Sequence, residues 1–322
     1  MQNSGFKTKI LTAIAFGLVS QYSLAALPDT LKLDYAYYTP TSLVVKEQKL
    51  LEKALPNTQI KWVFSQGSNR SLEYLNSGSV DFSSTAGLAA VLSRANGSPI
   101  KTVYIQSQPE WTALLVAKNS PIKSLKDLKG KKIAATKGTD PFLFTLQALE
   151  TAGLNKKDVQ LVHLQHPDGK TALERGQVDA WAGLDPLMAS AQVQSGAKLL
   201  YRNVGFNSYS VLSTKEQFAS QSPEAIEAVI KAYEQARKWA KANPAKLAEL
   251  LARESKLPIA VAKLQLSRTN FEQNIPTVKH INALKKSGTI LTEEDLVRKG
   301  TNVNQVIDQL FDAKYANKVV KK

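Results

Sequence analysis

The sequence predicts an α/β fold in two lobes, with mostly parallel sheets flanked by helices. Three observations carry that prediction. Short β-rich runs alternate with helical stretches, the pattern of parallel strands joined by helical crossovers. The alternation fills one complete unit by about residue 117 and begins again at Ser124. A chain of 322 residues with 43% hydrophobic and 21% charged residues has ample apolar surface for two such units and is not disordered.

The first 25 residues are expected to lie outside the fold. Lys7 and Lys9 precede the apolar run 10–19, and Ser23-Leu24-Ala25 places small residues before a cleavage point. That is the layout of a secretory signal peptide. The apolar run is too short for a membrane span, which needs about 20 residues. No cysteine occurs in the chain, which excludes disulfides, thiolate metal sites and a lipidated N-terminus.

After the leader, residues 31–38 read as a strand and 42–55 as an amphipathic helix ended by Pro56. A strand at 58–65 is followed by a helix at 69–76 with Gly78 past its end. Strands at 80–83 and 100–105 flank a helix at 87–95, and 112–117 is a further apolar run. The second unit has strands at 132–136, 159–163, 180–182 and 198–201, and helices at 141–152, 170–175 and 186–194. A strand at 209–213 leads into helices at 223–242, 244–254, 258–268 and 277–286. Thr292 with Asp295 resembles a capping box opening one more. The helical tail is expected to wrap back on the first lobe, leaving a ligand cleft between the lobes.

The strand-to-helix turns share one design. Gly138-Thr-Asp-Pro141, Asp185-Pro186, Ser222-Pro223 and Thr39-Pro40 place a capping residue before proline. Gly67-Ser-Asn-Arg70 and 83–87 are small, polar turns in the same topological place. Helix starts present unpaired N–H groups and a positive dipole end, which suits anions. In open parallel sheets these turns gather where ligands bind. Tyr35, Tyr37, Tyr38, Trp111 and Trp181 lie near them, and the two tryptophans are candidate pocket walls.

Catalytic signals are poor. The three histidines are His163, His166 and His280, and no third ligand accompanies the first two for a metal. No nucleophile elbow, phosphate loop or dinucleotide fingerprint occurs. Asp140 and Asp185 read as helix caps. The reading is a non-enzyme with no cofactor, no metal and no catalytic residue. The net charge of +15 is spread along the chain; its densest part, 118–137, has seven lysines and one acid. It lacks interleaved aromatics, and an exported chain does not meet nucleic acid. A solvated surface, a docking face and an electrostatic funnel for anions all accommodate it.

The successions 45–55, 72–81, Ser84-Thr85, 119–130, Lys137-Gly-Thr139 and 176–186 together resemble ABC-transporter solute-binding proteins of the sulfonate/taurine/nitrate group. The match is sharpest at Val178-Asp-Ala-Trp181 with Asp185-Pro186. The resemblance implies a type II periplasmic-binding fold, with 26–111 plus 208–322 as one lobe and 112–207 as the other. It implies a periplasmic monomer that binds an aliphatic sulfonate, or else taurine, nitrate or another small anion or zwitterion, and delivers it to a membrane permease with its ATPase. The ligand contacts carried over are Tyr38, Thr39, Ser42, Ser68, Asn69, Ser84, Thr85, Gly138, Thr139, Trp181 and Asp185, with Arg70 as an addition. Where sulfonate binders continue Ser-Thr with Gly-Asp, this chain has Ala86-Gly87, and Asp140 stands beside the expected anion position. The competing reading is an enzyme similar to thiamine-pyrimidine precursor synthases, which would require His166 to reach the cleft.

Overall fold

The computed structural model describes residues 27–320; the leader assigned to 1–25 lies outside them. The first run comprises β1 (Thr30–Tyr35), α1 (Pro40–Glu47), α2 (Leu50–Ala54), β2 (Gln59–Phe64) and α3 (Ser68–Ser77). It continues through β3 (Phe82–Ala86), α4 (Gly87–Ala95) and β4 (Ile100–Pro109). The helix expected over 42–55 is two helices, because Lys49 adopts φ 51° and breaks the hydrogen-bond ladder between them.

The chain then crosses into β5 (Leu114–Val116), β6 (Lys132–Ala134), α5 (Asp140–Thr151), β7 (Gln160–Val162) and α6 (His166–Glu174). β8 (Ala180–Ala182), α7 (Leu187–Ser195) and β9 (Lys198–Tyr201) complete this part. It returns through β10 (Ser210–Lys215), α8 (Glu216–Gln221), α9 (Pro223–Ala242), α10 (Pro244–Ser255), α11 (Ile259–Leu266) and β11 (Thr269–Asn270). The tail is α12 (Val278–Gly288), α13 (Ile290–Glu293), α14 (Val303–Leu310) and α15 (Lys314–Val320).

Two sheets result, ordered β11-β4-β10-β3-β1-β2 and β7-β6-β8-β5-β9. We call them, with their helices, lobe 1 and lobe 2. They are mixed rather than mostly parallel. β1, β2 and β3 run parallel, as do β6, β7 and β8. β10, returning from lobe 2, inserts antiparallel between β3 and β4, and β5 is antiparallel to both of its neighbours. Each crossing of the chain between sheets reverses one strand, which sequence alternation does not reveal.

In lobe 1, Leu31 and Leu33 of β1 are buried with Val44 of α1 and Ile226, Val229 and Ile230 of α9. α15 packs on α9, and α14 on α4, so the tail does return to the first lobe. The helix expected to open at Thr292 does not form. Thr292 closes α13 with its hydroxyl bonded to the Thr289 carbonyl at 2.8 Å, and Asp295 at φ 53° ends the turn. The next helix starts instead at Asn302, whose side chain accepts from the Gln305 N–H at 3.0 Å.

Candidate functional site

The turn after β1 is built by its own hydroxyls. Thr39 Oγ1 donates to the Ala36 carbonyl at 3.3 Å, and Ser42 Oγ donates to the Thr39 carbonyl at 2.7 Å while accepting from the Ala36 N–H at 3.1 Å. Both side chains are buried, so these two expected contacts shape the turn. What the turn presents is Tyr38, whose hydroxyl donates to the Ser84 carbonyl at 2.9 Å. Asp34 lies behind it, accepting from Ser65 Oγ, Ser71 Oγ and the Ser84 N–H. Burial raises the Asp34 pKa to about 6 against the pull of those bonds.

The second turn of lobe 1 opens α3. Ser68 Oγ accepts from the Ala86 N–H at 2.9 Å and fastens the helix start to β3. Asn69 Oδ1 is buried without a hydrogen-bond partner. Arg70 points elsewhere: its side chain is 47% exposed and pairs with Glu73 at 2.6 Å. Ser84 and Thr85 are buried inside the sheet on β3, with hydroxyls that meet no partner.

Lobe 2 contributes three turns. Gly138 takes φ 78°, a left-handed conformation that favours glycine, and Thr139 Oγ1 donates to the Thr136 carbonyl at 2.6 Å. Asp140 does not cap α5. Its Oδ2 accepts from the Ser208 N–H at 3.0 Å, Ser208 Oγ at 2.6 Å and Trp111 Nε1 at 3.3 Å. Both segments that link the lobes thus hold one carboxylate. Burial raises its pKa to about 6. Trp111 in turn meets the Tyr38 ring edge-on at 5.9 Å, between the lobes.

Trp181 differs from its expected role as a pocket wall. On a three-residue strand, Ala180 and Ala182 face one way and Trp181 the other. The indole lies in the lobe 2 core with Leu173 and Met188. α6 packs so closely that a Cβ on Gly169 would stand 2.6 Å from its Nε1. Asp185 caps α7 by accepting the Ala189 N–H at 2.8 Å, and its other oxygen faces Arg268 Nη1 of lobe 1 at 3.4 Å. Desolvation outweighs that cation and raises the Asp185 pKa to about 7.

A cavity of about 190 Å³ lies between the lobes, walled by Tyr37, Tyr38, Phe64, Leu184, Asp185 and Leu187 among others. Of the expected contacts, Tyr38 and Asp185 line it. Asn69 and Gly138 meet beside it: a Cβ on Gly138 would stand 3.7 Å from Asn69 Cβ. This brings the start of α3 up to the turn before α5. His166, the first residue of α6, also lines the cavity. Its ring lies against Gly67, where a Cβ would be 2.8 Å from Nε2. Burial depresses its pKa to about 3. Sequence reasoning had not placed Phe64, Gln66 and Leu187 in the site, although Phe64 ends β2, Gln66 lies in the turn after it and Leu187 opens α7, the same topological places as the chosen turns.

Residues 58–247 match the family model described as NMT1/THI5 like. A protein of Escherichia coli (strain K12) named for aliphatic sulfonate binding is 31% identical over 296 residues, covering 90% of this chain and 93% of the relative. The alkanesulfonate-binding protein SsuA from Xanthomonas axonopodis pv. citri, solved with MOPS bound, superposes with a TM-score of 0.81 at 26% identity. That match covers 87% of this chain and 98% of the other. The periplasmic aliphatic sulphonate binding protein SsuA from Escherichia coli superposes with a TM-score of 0.76 at 28% identity, over 89% and 94%. The chain belongs to the NMT1/THI5-like family and has the two-lobed fold of the periplasmic aliphatic sulfonate-binding proteins.

Proposed function

We propose that this protein is the substrate-binding component of an ABC importer that takes up aliphatic sulfonates and hands them to a membrane permease. The observation that carries the reading is the meeting of two helix starts, α3 from lobe 1 and α5 from lobe 2, beside a cavity with a largely apolar wall. The first N–H groups of each helix have no acceptor within the helix, and the dipole adds positive potential. A sulfonate supplies an anionic head for those groups and an apolar body for Phe64, Leu184 and Leu187. Ligand bridging the lobes favours their closed arrangement, the form a permease selects. The residues that support the reading best are Tyr38, Asn69, Gly138 and His166; Thr39, Ser42, Ser68 and Thr139 shape the turns.

The layout of residues 1–25 supports export to the periplasm through a cleavable leader, and among the described residues no helix is long and apolar enough to cross a membrane. The enzyme reading gains one feature, since His166 does reach the cleft. It lacks the rest. The ring's partner is the Thr136 hydroxyl rather than a carboxylate, and a pKa of about 3 makes it a poor base at neutral pH.

A thermal-shift panel tests the function. Alkanesulfonates are expected to raise the melting temperature and alkylamines to leave it unchanged. No shift with sulfonates, sulfate esters, taurine or nitrate would overturn the reading.

A further inference from the structure

The His166 ring has a fixed direction. Its Nδ1 lies 3.1 Å from Thr136 Oγ1, and the Thr136 hydroxyl is 2.7 Å from the Leu164 carbonyl. A carbonyl only accepts, so the threonine proton goes there and leaves Thr136 only lone pairs to offer the imidazole. The proton between the two residues therefore sits on Nδ1, and Nε2 of the neutral ring carries a bare lone pair. Nε2 is buried with no hydrogen-bond partner, on the side of the ring that meets Gly67. Asn69 Oδ1 is also buried and unpartnered, and it too lies against Gly67, 3.1 Å from where a Cβ would stand. A buried acceptor left unmet costs about 1–3 kcal/mol. Beside an anionic head, a bare lone pair also repels. Both penalties vanish when the ligand itself brings an N–H or O–H to this point.

We propose that His166 is a specificity-determining residue of the cleft, its Nε2 accepting a hydrogen bond from a hydroxyl or amino group that the sulfonate carries near its anionic end. The proposal rests on the sulfonate reading and narrows it from alkanesulfonates at large to donor-substituted ones. Thr136 acts as a positioning residue, holding the tautomer. Gly67 leaves the room, because any side chain there would displace the ring.

Calorimetric titration with ethanesulfonate, 2-hydroxyethanesulfonate and 2-aminoethanesulfonate tests it on one carbon skeleton. The hydroxy and amino arms separate a neutral donor from an ammonium. The unaltered protein is expected to bind at least one substituted ligand about tenfold tighter than ethanesulfonate, the worth of one buried hydrogen bond. His166→Phe should abolish that gap. Thr136→Val, which frees the tautomer so that Nε2 can carry the proton, should narrow the gap, and it decides the matter if the Phe variant fails to fold. Equal affinities in the unaltered protein, or a gap that survives the substitution, would overturn the role of His166 and leave the sulfonate reading standing. Absence of binding by all three sulfonates would overturn both.

Discussion

Three carboxyls around the cleft, Asp34, Asp140 and Asp185, have pKa values raised by burial to about 6, 6 and 7. Such a group stays protonated in the folded protein while the unfolded chain has already ionised. Its contribution to stability is therefore present at low pH and is lost as pH rises from about 4 through the folded pKa. His166 and His280 act in the opposite direction. Held neutral to about 3 and 4, they contribute stability that is present above about pH 6.5 and lost as pH falls. Asp140→Asn isolates one of these effects. The variant is expected to gain on the parent as pH rises from about 4 to 6, by at most about 3 kcal/mol, and to gain nothing further above pH 7. Denaturant unfolding across that range measures it, and a pH-independent difference would refute the assignment. The sequence marked Asp140 as conspicuous. Its partners, Trp111 and Ser208, lie 29 and 68 positions away, beyond any local pattern.

At the scale of elements, the turns were legible and their side-chain directions were not. Proline signals located the starts of α9 and α10 and came within two residues of those of α1 and α5, because they are local backbone chemistry, although none of the four residues before these helices caps them through its side chain. Trp181 went into the core because of strand alternation, and the Thr39 and Ser42 hydroxyls went to their own turn. Choices of that kind depend on what packs opposite. Gly67 shows the same dependence. Its φ of 178° is extended and suits any residue, yet a Cβ would run into the His166 ring from the other lobe. Gly67→Ala should therefore leave the fold of each lobe intact and hinder their approach. Sulfonate affinity is expected to drop by roughly tenfold or more, the equivalent of about 1.4 kcal/mol. The melting temperature without ligand should change little. Titration calorimetry beside a melting curve separates the two; unchanged affinity would show that the lobes accommodate the methyl group.

Across the whole molecule, the lobes also meet where α11 packs on α7. There Arg268, its side chain 8% exposed, bonds Gln192 and faces Asp185, 1% exposed. Arg268→Met removes this latch. Asp185, with a pKa already near 7, can take up a proton, so the cost is smaller than that of stranding a buried charge. The expected result is a larger radius of gyration with ligand present, by small-angle scattering, and weaker binding with unchanged secondary structure. A radius and an affinity equal to the parent's would remove the pair from the closing mechanism. By itself the sequence determined the α/β class and, as expectations, the division into two units, the exported leader and the turns where a ligand would bind, because alternation and capping act over a few residues. The tertiary structure decided the strand reversals, the burial of Trp181, the anchoring of Asp140 by both linking segments, and the approach of His166 to Gly67. Each of those depends on surfaces distant in sequence excluding water from one another.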